Sequence, residues 1–259
     1  MTTATLTDRR PALGGFSLTF LGLEIRRVLR NRRTLFFILV MPAVFFLLFG
    51  LPSKGQTIGD TGSSAVGYIM ISLAVYGAMV ATTAGGGAVA VERAQGWSRQ
   101  LRLTPLRPTA YVATKVLAAM SLSLLSVVIE FVVGGIGGVR MPAHVWILAG
   151  LAAWIGSLVF AALGLFVGYL APAENVMQFM GPILALLALL GGLFVPLEVL
   201  PHAMQTIAKF TPVYGVGSIA RSPLTGSGFT FPAVLNVVLW TAGFGIGAAL
   251  LYRRDTARV

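Results

Sequence analysis

The chain has no cysteine. That removes a disulfide framework, a thiolate nucleophile and a cysteine-ligated metal from consideration. Its two histidines, His144 and His202, fall in different loops far apart in sequence, whereas a zinc site needs a denser donor set, so no metal is expected. Charge is scarce: 10% of residues carry one, against roughly 25% in an ordinary soluble domain. Only eight residues are acidic. There is no G-x-x-x-x-G-K-[ST] sequence, no H-E-x-x-H, no Ser/His/Asp set and no pair of neighbouring carboxylates. The chain is therefore expected to hold no catalytic residues and no nucleotide, and not to be an enzyme by itself.

What remains is apolar. Hydrophobic residues make up 56% of the chain and the mean hydropathy is +0.86. Several stretches run about 18 residues or more without a charge, the length needed to cross a bilayer as a helix. The pattern predicts an all-α polytopic membrane protein with six spans, at about 34–51, 65–91, 109–133, 145–170, 176–195 and 232–252. The net charge of +11 raises nucleic acid as a partner. The cations flank apolar segments, however, so anionic lipid is the expected partner and nucleic acid is not.

Residues 1–16 read as a disordered polar tail, 17–252 as one transmembrane domain and 253–259 as a second short tail. Between 17 and 33, Leu18, Leu21, Ile25, Val28 and Leu29 recur at helical spacing, with Arg26, Arg27, Arg30 and Arg33 mostly opposite. That is the pattern of an amphipathic helix lying in the membrane interface. Phe20 and Leu23 break it by falling on the polar side. Pro42 should kink the first span by removing a backbone donor. The run Gly85-Gly86-Gly87 should let another backbone approach the second span closely. The stretch 196–231 is rich in proline, and its apolar pieces are too short to cross. Short helices at or dipping into the outer surface are expected there. An even number of spans places both ends on one side. Fifteen of the nineteen Lys and Arg residues then share that side, and four (Lys54, Arg140, Lys209, Arg221) lie opposite. Lys and Arg gather in cytoplasmic loops, so both termini are expected in the cytoplasm.

Against that background the segment Val91 to Pro108, VERAQGWSRQLRLTPLRP, stands out as short, basic and polar between two apolar spans. It reads as a cytoplasmic platform. Ser98 can cap a short helix over about 98–103 and Pro105 limits its end. Arg99 and Arg102, one turn apart, would meet acidic groups on a soluble partner, with Leu101 facing elsewhere. Glu92 and Arg93 are adjacent and do not face each other on a helix, so each should pair with another segment. The arginine-rich N-terminal helix is the expected partner of Glu92, with a solvated surface pair as the alternative. Glu130 is the one acid well inside an apolar span, by default a functional candidate. Its place near the outer end of the third span favours contact with water instead.

Three segments in order resemble the permease subunits of ABC exporters of the ABC-2 type, the group that includes daunorubicin-resistance-type drug pumps. The first is Leu29-Arg30-Asn31-Arg32-Arg33-Thr34-Leu35 entering the span with Pro42, although the family often has proline where Arg32 stands. The second is Glu92-Arg93 followed by Gly96, Leu101, Leu103, Pro105, Leu106 and Pro108, similar to the family's intracellular loop between spans two and three. The third is Gly191-Gly192-Leu193-Phe194-Val195-Pro196-Leu197-Glu198-Val199-Leu200-Pro201, then Ile207-Ala208, Pro212-Val213-Tyr214 and Arg221, similar to the outer segment between spans five and six.

The resemblance implies a transport subunit without its own engine. ATP and Mg would be bound by a separate ABC ATPase, docking through a coupling helix that involves Glu92, Arg93, Ser98, Arg99, Leu101 and Arg102. A second permease copy or paralogue would complete the pathway, lined along spans two and five by Tyr76, Met79, Met177, Phe179, Met180 and Phe194. Pro196, Glu198 and Pro201 would form an outer gate. The implied cargo is an amphipathic drug, antibiotic or lipid-like molecule leaving a bacterial cell through its plasma (inner) membrane. A polysaccharide or lipid-linked glycan is the alternative within the family, disfavoured because none of Trp97, Trp146, Trp154 and Trp240 lies in the expected pathway spans. An ion-coupled secondary transporter is the alternative outside it, and it lacks the internal repeat such folds carry.

Overall fold

The computed structural model describes residues 15–58, 62–97, 100, 104 and 106–257. The chain is helical almost throughout, with one two-residue antiparallel pair, Thr57–Ile58 with Ser63–Ser64, between the first two spans. A short helix α1 (Leu18–Leu29) precedes six helices long and apolar enough to cross a membrane. They are α2 (Arg32–Ser53), α3 (Ala65–Ala94), α4 (Pro108–Ile136), α5 (Ala143–Leu170), α6 (Ala173–Leu190) and α9 (Phe231–Ala257). Between α6 and α9 lie α7 (His202–Lys209) and α8 (Pro212–Thr225), both too short to span. The fold is an all-α polytopic membrane bundle with short helices between spans five and six, as the sequence predicts. α1 and the last turns of α9 both meet the end of α3, which marks the terminal end of the bundle; α7 and α8 meet the start of α9 at the far end.

α3 is the axis. In its most apolar stretch 83% of residues are buried, against 6% in α9; α2, α4, α5 and α6 pack around it, while α9 packs outside on α5 and α8. Phe36, Phe37, Leu47, Leu48 and Phe49 of α2 are exposed, as are Val238, Leu239, Ile246 and Leu250 of α9. Large apolar side chains exposed on spans of this length mark lipid-facing surfaces.

Glycine sets the closest contact. A Cβ on Gly86 would come within 2.5 Å of the Leu165 backbone nitrogen, and one on Gly164 within 2.5 Å of the Thr83 carbonyl oxygen. Only glycine lets α3 and α5 touch backbone to backbone, and the Thr83 hydroxyl then donates across the seam to the Phe160 carbonyl at 3.3 Å. Pro42 behaves as its chemistry requires. It cannot donate, and its ring displaces the carbonyl four residues back, that of Ile38. Wide turns at Phe36–Val40 and Phe46–Gly50 flank it, and the freed Ile38 carbonyl accepts a hydrogen bond from Ser126 of α4 at 3.1 Å. α5 breaks at Gly156–Ser157, where the Ser157 hydroxyl meets the Trp154 carbonyl at 2.6 Å and the Ser123 hydroxyl at 2.9 Å.

α1 turns a carboxylate as well as apolar side chains toward the bundle. Its only fully buried residue is Glu24, while Leu18, Leu23 and Leu29 are exposed. Leu21, Ile25 and Val28 are half-buried beside Glu24, Val28 against the cluster of Ile38, Ala81 and Leu122, and Arg26, Arg27 and Arg30 are exposed. One mixed edge therefore meets the bundle, and the rest of the helix is free to lie in an interface.

Candidate coupling site

The basic platform hangs between two rigid roots. α3 runs to Ala94 and is stopped at Gly96, whose φ of 72° continues no right-handed helix. α4 restarts at Pro108, a residue suited to a first helical position because it needs no donor there. Ser98, Arg99, Leu101 and Arg102, the expected coupling helix, lie outside the described residues. What the structure does describe is how both roots are tied down.

Glu92, at the end of α3, is buried. Its carboxylate accepts from Arg27 of α1 at 2.5 Å, from Lys115 of α4 at 2.5 Å and from the Tyr111 hydroxyl of α4. Lys115 is 3% exposed, and its ammonium also donates to Glu24 of α1 at 2.7 Å. Helical spacing makes the arrangement possible: Tyr111 and Lys115 are four apart on α4, and Glu24 and Arg27 are three apart on α1, so each pair shares a face. Two carboxylates, one ammonium and one guanidinium balance in charge, and three helices meet on them. Half-burial disfavours the Arg27 charge, but the hydrogen bond and field of Glu92 outweigh it and hold the Arg27 pKa above its ordinary value.

Arg93, the next residue, points to the other side of α3. It forms a two-pronged pair with Asp255 of α9, at 2.7 and 3.0 Å, and donates to the Gly168 and Tyr169 carbonyls at the end of α5, both at 3.0 Å. Those carbonyls are helix C-terminal acceptors that would otherwise lack partners. The Arg93 guanidinium also lies 5.6 Å from the centre of the Tyr169 ring. The two residues that open the platform thus fasten α3 in opposite directions: Glu92 to α1 and α4, Arg93 to α5 and α9.

The expected pairing of Glu92 with the N-terminal helix is present, and it is buried rather than solvated. Sequence reasoning missed Glu24, Tyr111, Lys115 and Asp255 as members of this site. Lys115 offered a signal, as an ionisable residue two turns inside an apolar span; Glu24 did not, since it looks like one more charge on a polar face.

The expected pathway residues are dispersed. Tyr76 and Phe194 are in ring contact, 4.9 Å between centres, and Phe45 of α2 meets Phe194 at 6.1 Å. Met79 is wholly buried in the core, Met180 is half-buried against it, and Phe179 is exposed on α6. The Met177 and Glu198 side chains lie outside the described residues. Pro196 opens a single helical turn, Leu197–Val199, and Pro201 precedes α7. Glu130 departs from expectation. It does not reach water: it is 1% exposed, and neither carboxylate oxygen has a hydrogen-bond partner.

The bundle and its apolar spans define a class, a multi-pass α-helical membrane protein. Residues 17–225 match the family model described as ABC-2 type transporter, and the chain belongs to that family. It is also similar to the "Putative transport permease YvfS" of Bacillus subtilis (strain 168), 30% identical over 236 residues that cover 90% of this chain and 96% of that protein. The chain is an ABC transporter permease of the ABC-2 type, a family that works with a partner ATPase.

Proposed function

We propose that this permease is the membrane half of an exporter in a bacterial plasma membrane. It moves an amphipathic drug, antibiotic or lipid-like molecule outward on ATP, with Mg, hydrolysed by a separate subunit. In this reading both termini face the cytoplasm, since six spans assign fifteen of the nineteen basic residues to the side of the two sequence ends. The ATPase docks on the segment 95–107, with Arg99 and Arg102 meeting its acidic groups. A second copy or a paralogue completes a pathway along spans two and five; α6 is only 18% buried over its most apolar stretch, and the Tyr76–Phe194 contact joins span two to the segment that follows α6. Pro196, Glu198 and Pro201 serve as the outer gate.

The observation that carries the reading is the double fastening of Glu92 and Arg93. A push on the segment between α3 and α4 reaches α1, α4, α5 and α9 through charged bonds rather than dissipating in a loop. The test is co-purification with the ATPase followed by substrate-stimulated ATP hydrolysis. Arg99→Glu with Arg102→Glu should leave insertion intact and abolish the coupling of hydrolysis to transport. Unchanged coupling in that variant would end the docking proposal.

A further inference from the structure

At the far end, a cavity of about 630 Å³ lies between α3, α7, α8 and the start of α9. Among its lining residues are Tyr68, Gln205, Lys209, Tyr214, Ser218 and Arg221, and no acid is among the described lining. Arg221 is 4% exposed. Its Nη1 donates to the Ser72 hydroxyl at 3.0 Å and to the Gly192 carbonyl at 2.9 Å, and its guanidinium lies 4.6 Å from the centre of the Tyr68 ring. Those contacts fix its orientation. Among the described residues no carboxylate pairs with it. A buried guanidinium is costly unless its charge is matched, and it has five donors, of which these bonds use one nitrogen's.

The neighbours add to the same sign. Lys209 ends α7, and its exposed side chain borders the cavity. Asn236 and Trp240 of α9 take the carbonyls of Lys209, Phe210 and Thr211, which holds this lysine against the cavity wall. Thr230 and Ala233, around the first turn of α9, also line the space, so the amide end of a long helix borders it, where negative charge is favoured. Two cations from different elements, a helix amino end, hydroxyls and two aromatic rings converge on one volume.

We infer that this cavity binds an oxyanion, a phosphate or carboxylate carried by an amphiphile. The guanidinium of Arg221 and the ammonium of Lys209 grip the anion, and Tyr68 and Tyr214 flank the adjoining carbons. Guanidinium forks match the two oxygens of such groups. The site stands on the cavity and its charges; that its ligand arrives from the outer face rests on the orientation proposed above.

The full chain, purified alone in a neutral detergent, is titrated with phosphatidylglycerol, with phosphatidylcholine and with inorganic phosphate, and adducts are counted by native mass spectrometry. Phosphatidylglycerol should bind saturably and more tightly than phosphatidylcholine, whose phosphate is offset by its own quaternary ammonium and would bring that cation toward Arg221 and Lys209. Equal binding of the two overturns the proposal. Arg221→Gln should weaken binding about tenfold and Lys209→Gln several-fold, the scale of one charge-assisted hydrogen bond. Lys209 is exposed, so its variant tests the site even if Arg221→Gln misfolds. Arg140→Gln, outside the cavity, should change nothing. Binding of phosphate at comparable strength assigns the site to free anions, and its absence assigns it to the headgroup of an amphiphile; either supports an oxyanion site. No saturable anion binding, or binding equally sensitive to Arg140→Gln, overturns it. No ATPase is present, so loss of coupling in the exporter assay and loss of anion binding here are separate results.

Discussion

Lys115 and Arg221 are about equally buried, at 3% and 4% exposure, and they are neutralised in different ways. Lys115 sits between Glu24 and Glu92, with Arg27 and Tyr111 completing the shell. Arg221 has a hydroxyl, a carbonyl and a ring. Of the chain's eight acids, Glu24, Glu92 and Asp255 all serve the terminal end. A charge matched from within the chain makes a joint: it locks helices together and has little capacity left for anything else. A buried charge such as Arg221, with no carboxylate paired to it among the described residues, keeps capacity for an external counter-ion. In the proposed reading, the terminal end transmits force and the far end receives a ligand.

The sharpest way to break this contrast is at Lys115. Lys115→Met leaves Glu24 and Glu92 buried, close together and short of a cation. Removing one partner of a buried pair costs about 3–5 kcal/mol, so the unfolding midpoint of the purified protein should drop steeply or the variant should fail to accumulate. Adding Glu24→Gln should recover part of the loss, because the coupled sites are not additive. A loss under ~1 kcal/mol would mean the cluster is loosely solvated and not a joint.

Arg93 should come next. Its pair with Asp255 is partly exposed, but it is two-pronged and shares the guanidinium with two α5 carbonyls. Arg93→Gln should lower stability by about 1–3 kcal/mol, the range for hydrogen bonds to a charged group, measured by thermal unfolding. Asp255→Asn should cost less, since the carbonyls keep their donor. If Arg93 carries the push from the ATPase, its variant should also lower transport per ATP hydrolysed.

Arg27 should show the smallest loss of the three. Its side chain is half exposed, and water and salt screen such a charge. Arg27→Ala should cost about 1 kcal/mol or less, read as a small shift of the unfolding midpoint that shrinks further in high salt. A loss as large as that of Lys115→Met would show that α1 is held into the bundle by this arginine and not by Glu24.

How much of this was legible in the chain depends on distance along it. The six spans, the kink at Pro42 and the close approach at Gly86 follow from local composition and from what proline and glycine cannot do. The pairing of Glu92 with α1 was readable because opposite charges at the terminal end have few other partners. The bond from Lys115 to Glu24 crosses 91 positions and leaves no local pattern, so the place of Lys115 inside an apolar span marked it as unusual but nothing pointed to Glu24 as its partner. Met79 looked like a pathway residue because span two was expected to line a channel. In the fold span two is the axis, and Met79 is packed inside it.

Glu130 gives the finest test, because it belongs to neither arrangement. It sits four residues before Gly134, whose missing side chain makes room for Met70 of α3, and it is buried with no partner for either oxygen. An unsatisfied buried polar group typically costs about 1–3 kcal/mol. Glu130→Leu should therefore raise the unfolding midpoint, by the equivalent of about 1 kcal/mol once the altered packing is counted. For an exporter driven wholly by its ATPase, transport should be unchanged in that variant. Loss of transport together with a gain in stability would mean that the chain tolerates this carboxyl for use, which is the behaviour of an ion-coupled carrier, and the division of labour between the two ends would have to make room for a third site in the middle.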